Sequence, residues 1–422
     1  MRTVAVIGAG NRGATHLDTI SRLTDLYRLV GVCDAREDRR AWAHETYGAP
    51  VFEHPLTLLD EARPEVVAIV VPPDAHHLLT AAAAARGCHV LSETPIATTL
   101  AMAGDMIARC RAAGVVLEVA ENVWRFPQER LKRRAVEAGL IGQVQQVHLW
   151  YRSGSYHGTN ALRRFLPGRP LRALGVSRPF AVVPYRDLDG QEQRVQTWEL
   201  GVIEFEGGQT AVYQWPVGSD RGNLWEVVGD AGAIMGTDIV LFDGPQGRRR
   251  RLALETVVEE AHGAQTGQGR PALVALRWDT GESRPPVVWE NPYRRYNLAT
   301  ADEVARADVY AGLHEQIDAG DSGDAGVAGE TDRGWPASPP ADARFYGGPN
   351  ARADQELLMA LRESARRDSA WVDLPLPPDE PTAFERQLHQ EFQAAYGTPP
   401  FSDPEALLGR LFPRRGLQQT VH

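Results

Sequence analysis

The stretch Gly8-Ala9-Gly10-Asn11-Arg12-Gly13 follows an apolar, β-branched run from Thr3 to Ile7 and opens a helix-length segment. Glycines at this spacing between a strand and a helix make a cradle for a pyrophosphate. Gly8 permits the tight turn, Gly10 lets the backbone approach the phosphates, and Gly13 lets helix and strand pack closely. Unpaired N–H groups and the helix dipole favour an anion there, with Asn11 and Arg12 beside it. Asp34 ends the next strand-like run 21 residues past Gly13, where a carboxylate accepts from a ribose 2′-hydroxyl. The pattern predicts a bound dinucleotide and favours NAD over NADP. Arg36, Arg39 and Arg40 lie just downstream and keep NADP possible, because three such arginines either meet a 2′-phosphate or form a solvated helix face.

Other reactive side chains are sparse. Lys132 is the only lysine in the chain, and its setting, Arg130-Leu131-Lys132-Arg133-Arg134, reads as a solvated basic helix face. His76 and His77 are adjacent, a poor spacing for two ligands of one metal, and no cysteine or HExxH-type cluster joins them, so no metal is expected. The three cysteines, Cys33, Cys88 and Cys110, fall within the first 110 residues and form no disulfide framework, which fits the cytoplasm.

The elements that hold these residues follow from periodicity. Thr3–Ile7, Tyr27–Cys33, Val66–Val71, His89–Ser92 and Val115–Ala120 read as strands. Helix-length segments Asn11–Leu23, Arg36–Tyr47, His76–Arg86 and Leu100–Ala113 separate them. Strands apolar on both faces and joined by helices predict an α/β, doubly wound parallel sheet over residues 1–122. Beyond it, a helix from Pro127 to Ala138 leads into alternating runs such as Gln143–Tyr151, Val195–Phe205 and Gln209–Pro216. Residues 123–422 are therefore expected to form an α+β domain with a large, mostly antiparallel open sheet and helices at Ala301–Asp318, Ala351–Ala365 and Ala383–Ala395. The stretches His262–Pro271 and 318–349, dense in Gly, Asp, Ser and Pro, read as flexible loops.

A length of 422 residues favours two domains around a crevice. The formal net charge of -10 has the wrong sign for a protein that draws its affinity from phosphate backbones. No run approaches the roughly 18 apolar residues that a membrane-spanning helix needs. Neither nucleic acid nor a membrane is an expected partner.

Three motifs resemble the glucose-fructose oxidoreductase, inositol dehydrogenase and rhizopine-catabolism (Gfo/Idh/MocA) family. They are Val70-Val71-Pro72-Pro73-Asp74-Ala75-His76, Gly87-Cys88-His89-Val90-Leu91-Ser92-Glu93-Thr94-Pro95, and Asn122 through Arg125-Phe126-Pro127. The resemblance implies a Rossmann domain followed by a sheet domain that buries its face in a homo-oligomer, a dimer or tetramer. It also implies hydride transfer at a carbon of a sugar, cyclitol or related hydroxy compound. By the same resemblance Glu93 and Thr94 lie near the nicotinamide ribose, Asn122 near the nicotinamide end, and Pro72 and His76 beside the cofactor.

The chain departs from the family where the chemistry is done. Thr94 stands where members carry a lysine that handles the hydroxyl proton, and threonine cannot do so near neutral pH. The family also carries a histidine before a helix in the sheet domain, commonly four residues after an aspartate. His157 matches the histidine and Ser153 stands at the aspartate position, so the orienting carboxylate is missing from its usual place. An imidazole titrates in the range needed to take a hydroxyl proton, which makes His157 the expected base. Tyr156 is the expected hydrogen-bond donor beside it. Arg125 either clamps a carboxylate or makes structural ion pairs. Glu121-Asn122 is similar to the pair in related NAD-dependent glycoside hydrolases, so a redox-neutral lyase or glycosidase is the alternative to net oxidation. A non-catalytic NAD-binding sensor or partner subunit is a third expectation.

Overall fold

The computed structural model describes the chain except for residues 151–154, 167, 187–191, 216–223, 244–247, 261–270, 282–283, 321–334, 337–339, 379 and 412–422. Ser153, nearly all of the expected 262–271 loop and part of the expected 318–349 loop lie outside the described residues.

The first sheet is built from β1 (Arg2–Ile7), β2 (Tyr27–Cys33), β3 (Val51–Phe52), β4 (Val66–Ile69), β5 (His89–Ser92) and β6 (Leu117–Val119). Its order is β3-β2-β1-β4-β5-β6 and every pairing is parallel. The helices that wind it are α1 (Asn11–Arg22), α2 (Glu37–Tyr47), α3 (Pro55–Ala62), α4 (His76–Ala84) and α5 (Leu100–Ala113). This is a doubly wound sheet whose direction of winding reverses between β1 and β4, which opens a crevice at the carboxyl ends of those strands. Alternate residues feed separate cores: Val4, Val6, Val66 and Ala68 on one face, and Ala5, Ile7, Val67 and Ile69 on the other. The element Val51–Ala62, comprising β3 and α3, has too short a strand to show a periodic pattern and was missing from the sequence reading.

The chain then forms α6 (Pro127–Glu137), β7 (Val144–Trp150), α7 (Ser155–Arg163), β8 (Pro170–Arg186), β9 (Glu192–Phe205), β10 (Thr210–Trp215), β11 (Leu224–Gly229), β12 (Gly232–Met235), β13 (Asp238–Asp243) and β14 (Arg248–Leu252). With β15 (Glu255–Glu260), β16 (Pro271–Trp278) and β17 (Val287–Glu290) forming a separate three-stranded sheet, the large sheet runs β14-β13-β12-β11-β7-β10-β9-β8-β18, where β18 is Val372–Asp373. It is antiparallel except for the β7–β10 pair. Strand β8 escapes a sequence reading because Pro179 and Pro184 interrupt it. They are accommodated because the short β18 pairs only with Arg172 and Ala173, leaving the outer edge of β8 without a neighbour there.

The last helices are α8 (Ala301–Asp318), α9 (Gly348–Arg366), α10 (Ala383–Tyr396) and α11 (Pro404–Leu411). Helix α9 packs on the large sheet, whereas α8, α10 and the segment before α11 also reach back to the first domain. In α8, Arg306 donates to Thr19 Oγ1 at 3.1 Å and the Tyr310 carbonyl accepts from the Tyr27 hydroxyl at 2.8 Å. Glu385 of α10 accepts from Leu100 N at 2.7 Å, and the Pro400 carbonyl meets His77 Nε2 at 2.8 Å. This is why α4 is buried at all nine positions. The described part of the expected 318–349 loop is also packed: Tyr346 is fully buried and its N–H donates to Glu118 at 2.9 Å. Among the described residues no helix is long and apolar enough to cross a membrane, and the three cysteines are buried and unpaired.

Helix α9 seats on the large sheet through a glycine pair. Gly175 of β8 is in register with Gly201 of β9. A Cβ on Gly175 would lie 1.9 Å from the Leu361 carbonyl oxygen, and one on Gly201 would lie 2.8 Å from the Leu361 side chain. The helix backbone cannot yield locally, so Gly175→Ala should destabilise the protein by about 3 kcal/mol. Urea unfolding is expected to show a lower midpoint with an unchanged slope.

Candidate active site

The crevice is framed first by the start of α1. Gly8 adopts a φ of +101° and a Cβ there would fall 2.0 Å from the Val70 carbonyl oxygen, while a Cβ on Gly13 would fall 2.0 Å from that of Gly8. Both positions thus require glycine. Gly10, the N-cap of α1, is exposed, has open space where a Cβ would be, and provides no side-chain cap for the helix. Uncapped N–H groups at an open helix start suit a pyrophosphate. Asp34, at the end of β2, accepts from Ala9 N at 2.7 Å and from Arg36 N at 2.9 Å. This fixes its carboxylate beside the glycine turn. The downstream arginines are occupied: Arg36 pairs with Asp38 at 2.6 Å, Arg39 donates to the Ala9 carbonyl at 2.6 Å, and Arg40 donates to the Asp34 and Ala35 carbonyls at 2.9 Å. The residues present fit a dinucleotide.

Further along the crevice, Glu93 leaves the end of β5 and is buried. It accepts from Thr94 N at 2.8 Å, meets His16 Nε2 at 2.8 Å and is bonded by the Arg12 guanidinium. His16 Nδ1 in turn contacts the Tyr310 hydroxyl at 2.9 Å. Burial pushes the Glu93 carboxyl up, but Arg12 and the His16 hydrogen bond outweigh it and hold the acid far below its ordinary range. Arg12 therefore sits where Thr94 leaves no cation. Burial opposes its charge, yet Glu93, Asp302 and Glu121 keep it more firmly protonated than usual.

His157 stands opposite, in the first turn of α7 and not ahead of the helix as expected. Helix α7 tolerates Gly158 because the Tyr213 ring lies 2.3 Å from where its Cβ would be. His157 Nδ1 meets Glu121 Oε2 at 2.7 Å, and Glu121, fully buried, also accepts from Val123 N at 2.9 Å through Oε1. The carboxylate that seemed absent is thus supplied from just past β6. A carboxylate accepts in such a pair, so Nδ1 is the nitrogen that carries a proton here. Burial acts to lower the His157 pKa, but Glu121 overrides it and raises the imidazole above its ordinary value, with Glu93 adding to the effect and Arg12 opposing it.

Several expected site residues lie elsewhere. Tyr156 is buried on another side of α7, its hydroxyl 3.2 Å from that of Tyr346 and 3.4 Å from the Ala351 carbonyl, so it does not face substrate. Its surroundings are a closed polar cluster in which Asp354 accepts from Tyr346, from Asn160 at 2.6 Å and from Arg163 at 2.5 Å. Arg125 is fully buried among Glu118, Asp308 and the Arg344 carbonyl and clamps no ligand. Lys132 is buried, not solvated: it pairs with Glu129 at 2.9 Å and lies 4.9 Å from the Trp225 ring centre. His76 is fully buried between backbone carbonyls, 2.8 Å from Val71 and 3.0 Å from Pro95, and joins two turns without reaching into the crevice. Pro72 shapes the first of those turns, and the Thr94–Pro95 bond in the second is cis. Asn122 donates to Asp302 at 2.6 Å. Asp302, His16 and Tyr310 were not anticipated, because they join the site from α1 and α8 through packing that no sequence spacing encodes.

Residues 2–121 match the family model described as an oxidoreductase family with an NAD-binding Rossmann fold (GFO_IDH_MocA). The chain is 29% identical over 310 residues to inositol 2-dehydrogenase 1 of Saccharopolyspora erythraea, covering 68% of this chain and 89% of that protein. It is 34% identical over 144 residues to D-glucoside 3-dehydrogenase of Escherichia coli, covering 33% of this chain and 40% of the relative. Its fold is similar to that of an oxidoreductase from Agrobacterium radiobacter in complex with NAD+, L-tartaric acid and magnesium, with a TM-score of 0.60, 18% identity, and coverage of 88% of this chain and 98% of that one. Residues 2–121 are thus identified as the NAD-binding Rossmann domain of the Gfo/Idh/MocA oxidoreductase family.

Asp34 offers the direct test of the dinucleotide end. Asp34→Ala should weaken NAD binding about 10- to 100-fold, the loss of one charge-assisted hydrogen bond to a ribose. Titration calorimetry checks this, and wild type should bind NAD more tightly than NADP.

Proposed function

We propose that the protein oxidises a secondary hydroxyl of a sugar, cyclitol or related polyol, with His157 as general base. The observation that carries this reading is the 2.7 Å His157–Glu121 pair, an imidazole backed by a buried carboxylate in the same crevice as Glu93 and Arg12, whose charges also act on it. Bound NAD, held by Gly8, Gly10, Gly13 and Asp34, supplies the hydride acceptor. Neutral His157 takes the hydroxyl proton at Nε2, and Glu121 stabilises the imidazolium that forms. Arg12 does not exchange a proton near neutrality, so its part is to hold Glu93 ionised and to bind substrate oxygen. Thr94 contributes shape. The buried free cysteines fit a cytoplasmic setting. Exposed apolar side chains on the large sheet, among them Phe180, Val183, Val195, Leu224, Met235 and Phe242, fit a homo-oligomer.

Two variants test the assignment. His157→Ala should lower kcat by about 10²- to 10⁴-fold with NAD binding retained. Glu121→Gln removes the charge that favours the imidazolium, so the alkaline rise of kcat/KM for oxidation should move to lower pH. A profile that stays in place would show that Glu121 does not act through His157. Incubation with inositols and glucosides should give NADH in step with product; product without NADH would identify the redox-neutral route instead.

A further inference from the structure

Away from this site lies a cavity of about 20 Å³ walled by Trp124, Glu129, Arg130, Arg133, Ala161, Arg164, Phe165, Trp225, Pro340 and Ala341. That volume holds one or two water-sized species. It shares no wall residue with the crevice at His157, Glu93 and Arg12. Three guanidinium groups surround the Trp124 ring, with Cζ of Arg164, Arg125 and Arg130 at 4.2, 4.6 and 4.9 Å from its centre. Two of them are neutralised: Arg125 by Glu118 and Asp308, and Arg130 by Asp308.

Arg164 is different. It is 4% exposed, and none of its three guanidinium nitrogens has a hydrogen-bond partner. Its guanidinium lies against π-faces, Trp124 and, at 5.1 Å, Tyr346, while Asp354, the carboxylate whose charge reaches it, is already paired with Arg163. Two further donors around the cavity, Trp124 Nε1 and Arg130 Nε, are also unpaired, against a single unpaired acceptor, Glu129 Oε2. Glu129 is already matched by Lys132, so the walls keep an excess of positive charge and of N–H groups. Burial, reinforced by the neighbouring Arg163, pulls the Arg164 pKa down to about 9. A buried cation without a counter-charge costs several kcal/mol, and water in the cavity would satisfy donors without supplying charge.

We propose that this cavity is a structural anion site in which a monatomic halide, chloride under ordinary conditions, is bound by the Arg164 guanidinium against Trp124. The ion would complete the joint between the end of α7, the turn before α6 and the segment at Pro340-Ala341.

The full-length protein tests this by thermal unfolding in sodium chloride and in sodium methanesulfonate at equal ionic strength, which matches screening while the larger anion does not fit. Chloride should raise Tm saturably, by about 3 °C near a hundredfold excess over its Kd. Arg164→Met should lose that response and melt in methanesulfonate no lower than wild type, because it removes a buried charge at similar volume. A wild type that melts alike in the two salts, or a variant that keeps the chloride response, overturns the proposal. Should the variant not fold, wild-type crystals grown in bromide decide the matter. An anomalous peak within about 3.5 Å of the Arg164 guanidinium nitrogens supports the site, and its absence at full bromide exchange refutes it.

Discussion

Arg125 is bonded on every side: its Nε donates to the Glu121 carbonyl at 3.1 Å, one terminal nitrogen to Glu118, and the other to Asp308 and the Arg344 carbonyl. A buried guanidinium with this many fixed acceptors is a rigid joint, and removing a partner would strand charge in the interior. The joint holds the end of β6, the middle of α8 and the segment before α9 in one arrangement. Because it grips the Glu121 backbone, it also fixes where the Glu121 carboxylate can meet His157. The proposed catalytic imidazole is therefore oriented by a chain of contacts that begins at Arg125, a residue bonded entirely to protein groups.

Thr94 and Ser153 stand where the family resemblance implies a lysine and an aspartate, and other residues bring a cation and a carboxylate to the crevice. Cationic character comes from Arg12 on the glycine-rich helix, and the carboxylate behind the histidine comes from Glu121 at the end of the parallel sheet. The exchange is not symmetrical. A lysine can give and take a proton, whereas Arg12, held by Glu93, serves as fixed charge. In the proposed mechanism proton movement then falls on His157, whose affinity for the proton burial lowers and the buried Glu121 raises.

The first sheet was legible in the sequence because its strands are apolar on both faces and its punctuating glycines have steric reasons that spacing reveals. Gly8 and Gly13 are required by backbone oxygens 2.0 Å from their would-be Cβ atoms. Asp34 was singled out by its spacing from Gly13, and Glu93 and His157 by the family resemblance; the structure brings Glu93 and His157 to the crevice beside Arg12 and Glu121. Of the two readings of Arg125, the structural ion pairs are the ones present, and Tyr156 was misread because adjacency in sequence says nothing about which side of a helix a residue occupies. Tyr156 neighbours His157 in the chain, yet the helical rotation of about 100° per residue turns it into the Asp354 cluster. Glu121 was noticed as unusual, but its pairing with a residue 36 positions later is a tertiary fact.

The return of the C-terminal helices to α4 has a consequence for how the molecule is made. The outer surface of α4 is covered by contacts such as His77 with Pro400, separated by 323 residues. During synthesis the parallel sheet can form before the C-terminal helices emerge, but that apolar flank stays bare until the segment around Pro400 has left the ribosome. The window between those two moments is when a nascent copy is most exposed to chaperones, or to its own neighbours on a polysome.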